Sequence, residues 1–270
     1  MILVNGLESS CVSVLDRGLM YGDGVFRTLL LRKGMAIGWQ RHHIKLAEDC
    51  AALGIACPTE QELEEDLVQA GKNNPDCVAK IIVTRGEGAR GYALSPTAKP
   101  TRIVVTSPLP DYPAHYADIG VKVHLCDLRL CHQPRLAGIK HLNRLENVLA
   151  RSEWDAPDIA EGLLLDVNGS VVEGTMSNLF MLKGQELHTP DLSLCGVAGV
   201  QRQRIMTLAP DLGLQLKVSR FDLPQLIEAN EVLLCNSIFG VWQIRELAGQ
   251  TWQRGMMTEK IRQLLEQEYD

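Results

Sequence analysis

The sequence predicts a two-domain protein of mixed α and β structure. Its length of 270 residues fits two domains of roughly 100–150 residues each. Hydrophobic residues make up 46% and charged residues 22%, values typical of a globular protein with a sizeable core. Segments with strand-like and helix-like patterns alternate from one end of the chain to the other. The predicted class is therefore α+β to α/β, with no internal repeat.

A proline-rich stretch, "SPLPDYPAHYADIG", marks the predicted domain boundary. Proline removes a backbone donor and stiffens the chain, which suits a linker better than a helix or a central strand. We therefore predict a smaller N-terminal α+β domain over residues 1–112, a linker over residues 113–120 and a larger C-terminal domain over residues 121–270.

The N-terminal domain is predicted to contain five strands and two helices. The strand segments are "MILVNG", "SSCVSVLDRG", "GVFRTLLLRKG", "CVAKIIVTRG" and "TRIVVTSPL". The segment "RHHIKLAEDCAALGI" has apolar residues at helical spacing and ends at Gly54. A second helix is predicted to begin at Thr59, because Glu62 three residues later completes a capping box.

The C-terminal domain is predicted to contain hairpins and helices. Asn168-Gly169 is the strongest short turn signal in the chain and predicts a hairpin around it, and "NLFMLKGQELHTP" is predicted to form a second hairpin. "GVKVHLC", "LQLKVSRFD" and "EVLLCNSIFGVWQI" are strand segments. The predicted helices are "LNRLENVLARSEW", "GVQRQRIMTLAPDLG", "LPQLIEA" and "MTEKIRQLLEQEY". In the first of these, Leu142, Leu145, Val148 and Leu149 fall on one face, which we expect to pack.

Composition disfavours several classes of function. A net charge of -6 argues against nucleic acid as the partner, since phosphate contacts need a basic surface. No apolar run approaches the roughly 20 residues of a membrane span. The start, "MILVNGLESS", does not resemble an export signal, so we expect a cytoplasmic protein. The eight cysteines show no C-x-x-C or paired Cys/His spacing, so we expect reduced thiols and no metal site.

The segment "GEGARG" at residues 86–91 matches a dinucleotide-binding pattern only by its glycines. That site requires a helix directly afterwards, and "YALSPTAKP" cannot form one. Two readings remain equally open. The segment is either a plain flexible loop or a loop whose Arg85 or Arg90 binds an anionic substrate.

Four further signals are individually weak. Lys140 lies in "LAGIKHLNRLENVLAR", and Glu173 lies at a predicted strand end in "SVVEGTMSNLF". Two glycines precede the helix that begins near Val200, where exposed amides could bind an anion. Ser237 follows an apolar strand. Each has an ordinary structural explanation, but an amine, a carboxylate and a phosphate-binding helix end are together what pyridoxal phosphate needs.

The sequence resembles the fold-type IV pyridoxal-phosphate enzymes. This family includes branched-chain aminotransferases, D-amino acid aminotransferases and 4-amino-4-deoxychorismate lyases. The resemblance follows the chain in order, through "LDRGLMYGDGVFRTL", "RGEGARGY", "LAGIKHLNRLENVLAR", "VVEGTMSNLF" and "GVAGVQRQR". It implies the two-domain fold of the D-amino acid aminotransferases, a pyridoxal 5'-phosphate cofactor and a homodimer. "LAGIKHLNRLE" and "GARGY" are more similar to the lyases than to the aminotransferases.

The resemblance implies a role for each cofactor-binding residue. Lys140 would form the Schiff base and act as catalytic base, and Glu173 would pair with the ring nitrogen. Asn178 would order the site beneath the ring. The amides of Val200 and Gln201 and the hydroxyl of Ser237 would bind the phosphate. The family usually has arginine in the pattern His-x-x-Arg-Leu, and here Lys45 stands in its place. A lysine ammonium is a point charge and cannot form the two parallel hydrogen bonds of an arginine guanidinium, so it binds phosphate more weakly.

The resemblance also implies the substrate and the reaction. The lyases convert 4-amino-4-deoxychorismate to 4-aminobenzoate and pyruvate on the route to folate. The two carboxylates of this small-molecule substrate require cations or donors, and we expect Arg90 and Tyr92 first. Further candidates from the same motifs are Arg27, Thr28 and Arg144. Two alternatives remain, a branched-chain or D-amino acid aminotransferase and a non-catalytic binding protein that kept the scaffold.

Overall fold

A computed structural model describes residues 1–95 and 97–267, and it divides the chain into two compact units. The first unit comprises Met1–Asp111 together with Ile139–Asn143. The second comprises Tyr112–Gly138 and the chain from Arg144 onward. Within the described residues, no helix is both long and apolar enough to cross a membrane.

In the part of the chain that the structure describes, the first unit contains six strands and three helices. They are β1 (Ile2–Val4), β2 (Leu7–Glu8), α1 (Arg17–Tyr21), β3 (Gly24–Arg32), β4 (Met35–Ala36), α2 (Trp39–Ala52), α3 (Glu60–Gly71), β5 (Cys77–Thr84) and β6 (Thr101–Ser107). The strands form one antiparallel sheet in the order β2-β1-β6-β5-β3-β4. Helices α2 and α3 pack against this sheet through Leu46, Leu63 and Leu67, which share one core with the strands.

Two local predictions in this unit have opposite outcomes. The capping box at Thr59 is present, since its side chain accepts from the Glu62 amide and the Glu62 carboxylate accepts from the Thr59 amide. The strand predicted in "SSCVSVLDRG" is wrong, because residues 9–13 have no regular structure apart from a bend at Ser10, residues 14–15 form a turn and Arg17 begins α1. The carboxylate of Asp16 caps that helix by accepting from the Gly18 amide at 2.7 Å.

The second unit is built on a mixed sheet of nine strands with helices around it. Its elements are α4 (His115–Asp118), β7 (Val121–Leu130), α5 (Leu145–Arg151), β8 (Ile159–Asp166), β9 (Val171–Gly174), β10 (Asn178–Lys183), β11 (Glu186–Pro190), α6 (Val200–Leu208), β12 (Gln215–Ser219), α7 (Leu223–Ile227), β13 (Glu231–Asn236), β14 (Gly240–Leu247), β15 (Gln250–Thr251) and α8 (Met256–Gln267). The strand order is β12-β11-β10-β13-β14-β7-β8-β9, with β15 paired to β14. A 3-10 turn spans Pro210–Leu212.

The central strands of this sheet are covered on both faces. In β10, Leu179 and Met181 belong to one apolar cluster, while Phe180 and Leu182 belong to another. Successive side chains of a strand point to opposite faces, so a continuous apolar run is stable only where both faces are buried. Helices α6 and α8 cover the second face through Ile205 and Ile261.

The domain boundaries differ from the prediction in two places. Residues 113–120 do not form a separate linker, because they include α4 and belong to the second unit. Residues 139–143 belong to the first unit rather than to a continuous C-terminal domain. Here the Phe26 amide donates to the Lys140 carbonyl at 2.9 Å, and buried Ile139 joins the first core. Backbone pairing with β3 thus determines where this segment lies.

The helix after Lys140 also differs from the prediction. It begins at Leu145 rather than at Leu142. The face expected to pack is exposed, with 75% of Leu145, 61% of Val148 and 58% of Leu149 accessible. Apolar residues at positions i, i+3 and i+4 do share a face, but nothing within the described chain covers that face.

Candidate active site

Lys140 is held by its backbone on the N-terminal part of β3. Its carbonyl accepts from the Phe26 amide, and its own amide donates to Asp49 Oδ2 at 3.2 Å. The neighbouring residue Leu142 donates its amide to the Gly24 carbonyl at 3.0 Å. The Lys140 side chain is half-buried, and its Nζ lies 4.8 Å from the centre of the Phe26 ring. Backbone hydrogen bonds therefore fix the Lys140 backbone.

Asp49 is the anion around which this part of the first unit is organised. Its side chain is 1% exposed and pairs with both Arg27 and Lys45, in addition to the Lys140 amide. Lys45 lies one helical turn before it on α2. Burial lowers the pKa of Arg27, and the adjacent Asp49 carboxylate opposes this effect. Sequence reasoning missed Asp49, because no local motif distinguishes it from the other acidic residue of α2.

The alternation of β3 separates two of the predicted substrate-binding residues. Phe26 and Thr28 lie on one face of the strand, and Arg27 lies on the other. Arg27 is 2% exposed and its guanidinium is paired with Asp49. Thr28 is half-buried and lies on the same face of β3 as Phe26, and Lys140 Nζ lies beside the Phe26 ring. Arg27 and Thr28 therefore cannot bind one substrate group from the same face.

The motif "LDRGLMYGDG" holds the loop that carries Arg90 and Tyr92. The Arg17 guanidinium donates to the Gly91 carbonyl at 3.0 Å, and the Gly91 amide donates to the Tyr21 hydroxyl at 3.3 Å. Arg90 and Tyr92 are both exposed, with 83% of Tyr92 accessible. Their backbone is thus tethered, while their side chains stay open to solvent.

Arg85 has a structural role instead of the anion-binding role left open above. It donates to both Asp23 carboxylate oxygens and to the carbonyls of Leu53 and Gly54. Burial alone would raise the pKa of Asp23. Hydrogen bonds from Arg85 and Arg17 outweigh this and hold the pKa below its ordinary value. With its donors occupied, Arg85 fixes the chain at the end of β5.

In the second unit, Glu173 lies in β9 and is 3% exposed. Its Oε2 accepts from the Val197 amide at 2.8 Å and from the Asn178 side-chain amide at 3.4 Å. A buried carboxylate needs donors of this kind to stay ionised. Glu173 thus lies near the end of a strand, as predicted, and its side chain is enclosed and hydrogen-bonded.

Asn178 connects three parts of the second unit. Its Nδ2 donates to the Val197 carbonyl at 2.7 Å, and its Oδ1 accepts from the Gly199 amide at 3.1 Å. Because it also reaches Glu173, one buried amide side chain ties β9, β10 and the loop before α6 together. These bonds fix the position of the Asn178 side chain, and its role beneath a cofactor ring stays a prediction.

The loop before α6 lies so close to neighbouring side chains that two of its positions have no room for a Cβ. Gly196 has φ +86°, a conformation that strains other residues, and a Cβ there would lie 2.8 Å from Leu192 and Val172 atoms. A Cβ at Gly199 would lie 2.3 Å from Asn178 Oδ1. Both positions therefore require glycine, and the two glycines noted in the sequence are explained.

Helix α6 begins at Val200, as predicted, and Gly199 places no side chain over its first amides. Val200 and Gln201 are buried at this positive helix end, where backbone N–H groups attract an anion. Ser237 lies in the turn after β13, half-buried. That turn is shaped by Asn236, whose side chain accepts from the Ile238 and Phe239 amides. Asn178 pairs with Cys235 in register, so the Ser237 turn lies at the same end of β13 as Asn178.

Glu161 is a further site residue that the sequence did not reveal. Although it is 1% exposed, it accepts from Thr175, Met176 and Ser177 and so shapes the turn between Glu173 and Asn178. Burial raises the pKa of Glu161, and the bonds from Thr175 and Ser177 oppose that rise. Its predicted strand context offered no signal, because the contacts join residues 14 to 16 positions apart.

Comparison with known proteins gives the family. The amino-transferase class IV model matches residues 24–247. The chain belongs to this family. It is therefore a pyridoxal-phosphate enzyme with the fold-type IV architecture, which confirms the resemblance on which the fold class and cofactor were predicted.

Three relatives illustrate the range of the family. Aminodeoxychorismate lyase of Vibrio harveyi is 38% identical over 89% of each chain. The crystal structure of 4-amino-4-deoxychorismate lyase from Pseudomonas aeruginosa superposes with a TM-score of 0.95 at 44% identity, covering 99% of this chain and 98% of that one. D-alanine aminotransferase of Bacillus licheniformis is 27% identical over 93% of this chain and 89% of its own length.

The residues of the second unit fit pyridoxal phosphate. Glu173 offers a buried carboxylate suited to a protonated ring nitrogen, and the helix end at Val200 offers backbone amides suited to a phosphate. The absence of a Cβ at Gly199 lets Asn178 Oδ1 accept from the Gly199 amide directly before this helix end. The second unit therefore offers groups of the kinds that the family's cofactor requires.

The Asp49 cluster yields a stability prediction. Replacing Asp49 by Asn leaves the buried Arg27 cation without its counter-charge, so the free energy of unfolding should fall by about 3–5 kcal/mol. Denaturant unfolding followed by circular dichroism measures this. The double variant Arg27→Met, Asp49→Leu removes both charges and should lose much less. Equal losses in the single and double variants would contradict the proposed charge pairing.

Proposed function

We propose that this protein is an aminodeoxychorismate lyase, which converts 4-amino-4-deoxychorismate to 4-aminobenzoate and pyruvate, a step toward folate. The observation that carries the proposal is the full-length similarity to the Pseudomonas aeruginosa lyase, in sequence and in fold. The lyase-like segment "LAGIKHLNRLE" contains the proposed reactive lysine. The D-alanine aminotransferases are more distant in sequence.

Lys140 is proposed to supply the reactive amine. Pyridoxal phosphate, when bound, supplies a protonated ring that accepts the electron pair released at the carbon bearing the substrate nitrogen. Lys140 Nζ would hold the cofactor, and its amine would take the proton from that carbon. The same amine would then give the proton to the departing enolpyruvate. Its backbone is fixed by β3 and Asp49, which limits the positions its Nζ can occupy.

Glu173 is proposed to keep the cofactor's ring nitrogen protonated. Its Oε2 accepts from the Val197 amide, and its carboxylate is shielded from water. Its negative charge therefore attracts a nearby cation more strongly than it would in water. The amides of Val200 and Gln201 and the hydroxyl of Ser237 are proposed to bind the phosphate. Lys45 is paired with buried Asp49, so its proposed contribution to phosphate binding is a shared charge.

The substrate carboxylates are proposed to bind residues with accessible donors. Arg90 and Tyr92 meet this condition on their tethered loop, and Thr28 and Arg144 are further candidates. Arg27 is the least suited of the predicted set, because its guanidinium is buried against Asp49. Small-molecule recognition here would thus depend on the 90–92 loop more than on β3.

The chain is also proposed to act as a cytoplasmic homodimer. The exposed apolar face of α5, formed by Leu145, Val148 and Leu149, is unusual for a monomer surface. A second copy of the chain is the occupant that the family resemblance implies.

The lyase proposal is tested with purified protein and 4-amino-4-deoxychorismate. The wild type should release 4-aminobenzoate and pyruvate in equal amounts, and Lys140→Ala should reduce turnover on the order of 1000-fold or more, since acid–base catalysis contributes that much. Lys80→Ala is a matched control, because Lys80 Nζ also lies beside the Phe26 ring, at 4.7 Å, and should leave turnover unchanged. Full turnover by Lys140→Ala would refute the assignment.

The same purified protein also distinguishes a lyase from an aminotransferase. Adding D-alanine or a branched-chain amino acid should give no stoichiometric 2-oxo acid and no conversion of the cofactor absorbance to the pyridoxamine form. Rapid conversion without 4-aminobenzoate release would favour an aminotransferase.

The role of Glu173 is tested by Glu173→Gln. The substituted amide keeps an oxygen for the Val197 amide but loses the charge, so turnover should fall on the order of 100-fold, the equivalent of about 3 kcal/mol. The melting temperature should stay close to that of the wild type. An undiminished rate would show that the ring nitrogen needs no charged partner.

The dimer is tested by Leu145→Asp combined with Val148→Asp. Two charges on the α5 face should convert a dimer into a monomer in analytical ultracentrifugation, because burying them unpaired is costly. Met256→Asp is the matched control, since Met256 is 87% exposed in the same unit and lies outside this face. A wild-type protein that sediments as a monomer would refute the proposal.

A further inference from the structure

Three potential metal ligands converge at one edge of the second unit. His132 lies two residues after β7, Asp166 is the last residue of β8, and Cys195 precedes the Gly196 turn. Their ligand atoms all lie within 4.8 Å of one another. The parallel neighbours β7 and β8 end together, with Leu130 opposite Asp166, which brings His132 beside the carboxylate.

The carboxylate of Asp166 is held in place by the hairpin that follows it. Its Oδ1 accepts from the Asn168 and Ser170 amides, both at 2.9 Å. Its Oδ2 faces His132 Nε2 at 2.8 Å. One oxygen is thus anchored by the backbone while the other is presented to the histidine, as in carboxylate ligands oriented by surrounding hydrogen bonds.

The cysteine side of the cluster is also tethered. The Gln133 amide, next to His132, donates to the Leu194 carbonyl at 2.8 Å, next to Cys195. Two adjacent backbone positions are therefore joined, which fixes the separation of the histidine and the thiol. His132 is 23% and Asp166 6% exposed, and Cys195 is partly buried, so an ion could reach the cluster from solvent.

The dimensions are close to those of a tetrahedral zinc site. Zinc binds nitrogen or oxygen at about 2.0–2.1 Å and sulfur at about 2.3 Å, so neighbouring ligand atoms lie roughly 3.3–3.6 Å apart. The widest separation in the cluster is up to 4.8 Å and must shorten by up to about 1.2–1.5 Å, which side-chain rotation can supply. The His132–Asp166 hydrogen bond would open slightly as the ion enters.

We propose that His132, Asp166 and Cys195 form a binding site for a divalent transition metal, with Zn²⁺ as the best match. Imidazole, carboxylate and thiolate are a ligand set that favours zinc over magnesium or calcium, and water would complete the coordination. The proposal runs against the expectation from cysteine spacing that the chain has no metal site. His132 and Asp166 are 34 positions apart, too far for any short ligand motif. The site is separate from the residues assigned to the cofactor and to lyase chemistry.

A metal here would cross-link the ends of β7 and β8 to the loop that leads into Gly196. The Gly196 carbonyl accepts from the Gly138 amide at 2.9 Å, and the Val197 amide holds Glu173. The ion would therefore stabilise the loop against local opening, and the melting temperature should rise with Zn²⁺ because the ion binds the folded chain.

The test is metal binding by the chelator-treated holoenzyme. Zn²⁺ is titrated in competition with a chromophoric chelator, and Co²⁺ is added separately to look for the thiolate-to-metal charge-transfer band in difference spectra. The wild type should bind one equivalent and show the band. Cys195→Ser should abolish the band. Cys195→Ser and His132→Gln should each weaken Zn²⁺ binding by at least about 100-fold, because loss of a direct ligand should cost at least as much as loss of an outer-shell partner, which costs about 10–100-fold.

Cys131→Ser is the matched control, because Cys131 adjoins His132 but is exposed and outside the cluster. It should retain both the affinity and the spectrum of the wild type. Zinc affinity that is the same in wild type, Cys195→Ser and His132→Gln would overturn the proposal and assign any bound ion to the cofactor or to surface groups. Loss of the band in Cys131→Ser alone would overturn it as well. Lyase turnover is measured in parallel, and its presence or absence does not bear on the metal readouts.

Discussion

The second unit depends on one buried amide side chain, that of Asn178. It accepts from Gly199, donates to the Val197 carbonyl and reaches Glu173. The start of α6 and the carboxylate on β9 are thereby held in a fixed relation. Buried polar groups must be paired, so these bonds leave little freedom for the loop between them. The groups assigned to the cofactor's phosphate and ring nitrogen share this single anchor.

The first unit has a comparable anchor, the buried carboxylate of Asp49. Asp49 is almost fully buried and balances Arg27 and Lys45, while it also accepts from the Lys140 amide. Burying a charge is costly unless it is paired and hydrogen-bonded. The cost of burial is offset here by two cations and a backbone donor, and one consequence is that the lysine segment has a defined position. The same arrangement engages Arg27, which makes it a poor substrate ligand.

Several elements followed from local rules in the chain. The capping box at Thr59, the Asn168-Gly169 hairpin and the helix start at Val200 all depend on residues within about four positions of one another, and each is present. The segment "SSCVSVLDRG" is different, because Asp16 caps a short helix instead of extending a strand. Alternation of small and apolar residues is compatible with both outcomes, so periodicity could not decide between them.

The fold of α5 shows a second limit. Its spacing correctly indicated a helix with an apolar face, but the face is exposed in the described chain. Amphipathic periodicity tells which residues share a face, and it does not tell whether the partner is the same chain or another copy. Metal ligands show the same limit, since His132, Asp166 and Cys195 are adjacent only after β7 and β8 have paired.

The sequence by itself determined the family and the helix start at Val200, and it supplied Lys140 and Glu173 as candidate site residues, because all of these belong to short motifs that can be recognised along the chain. Only the tertiary structure decided the roles of Asp49, Glu161 and Arg85, the separation of Arg27 from Thr28 by the two faces of β3, and the assignment of residues 139–143 to the first unit. Their partners lie at up to 91 positions along the chain. Burial and charge pairing at such separations arise only when distant segments are packed together, so no local pattern can specify them.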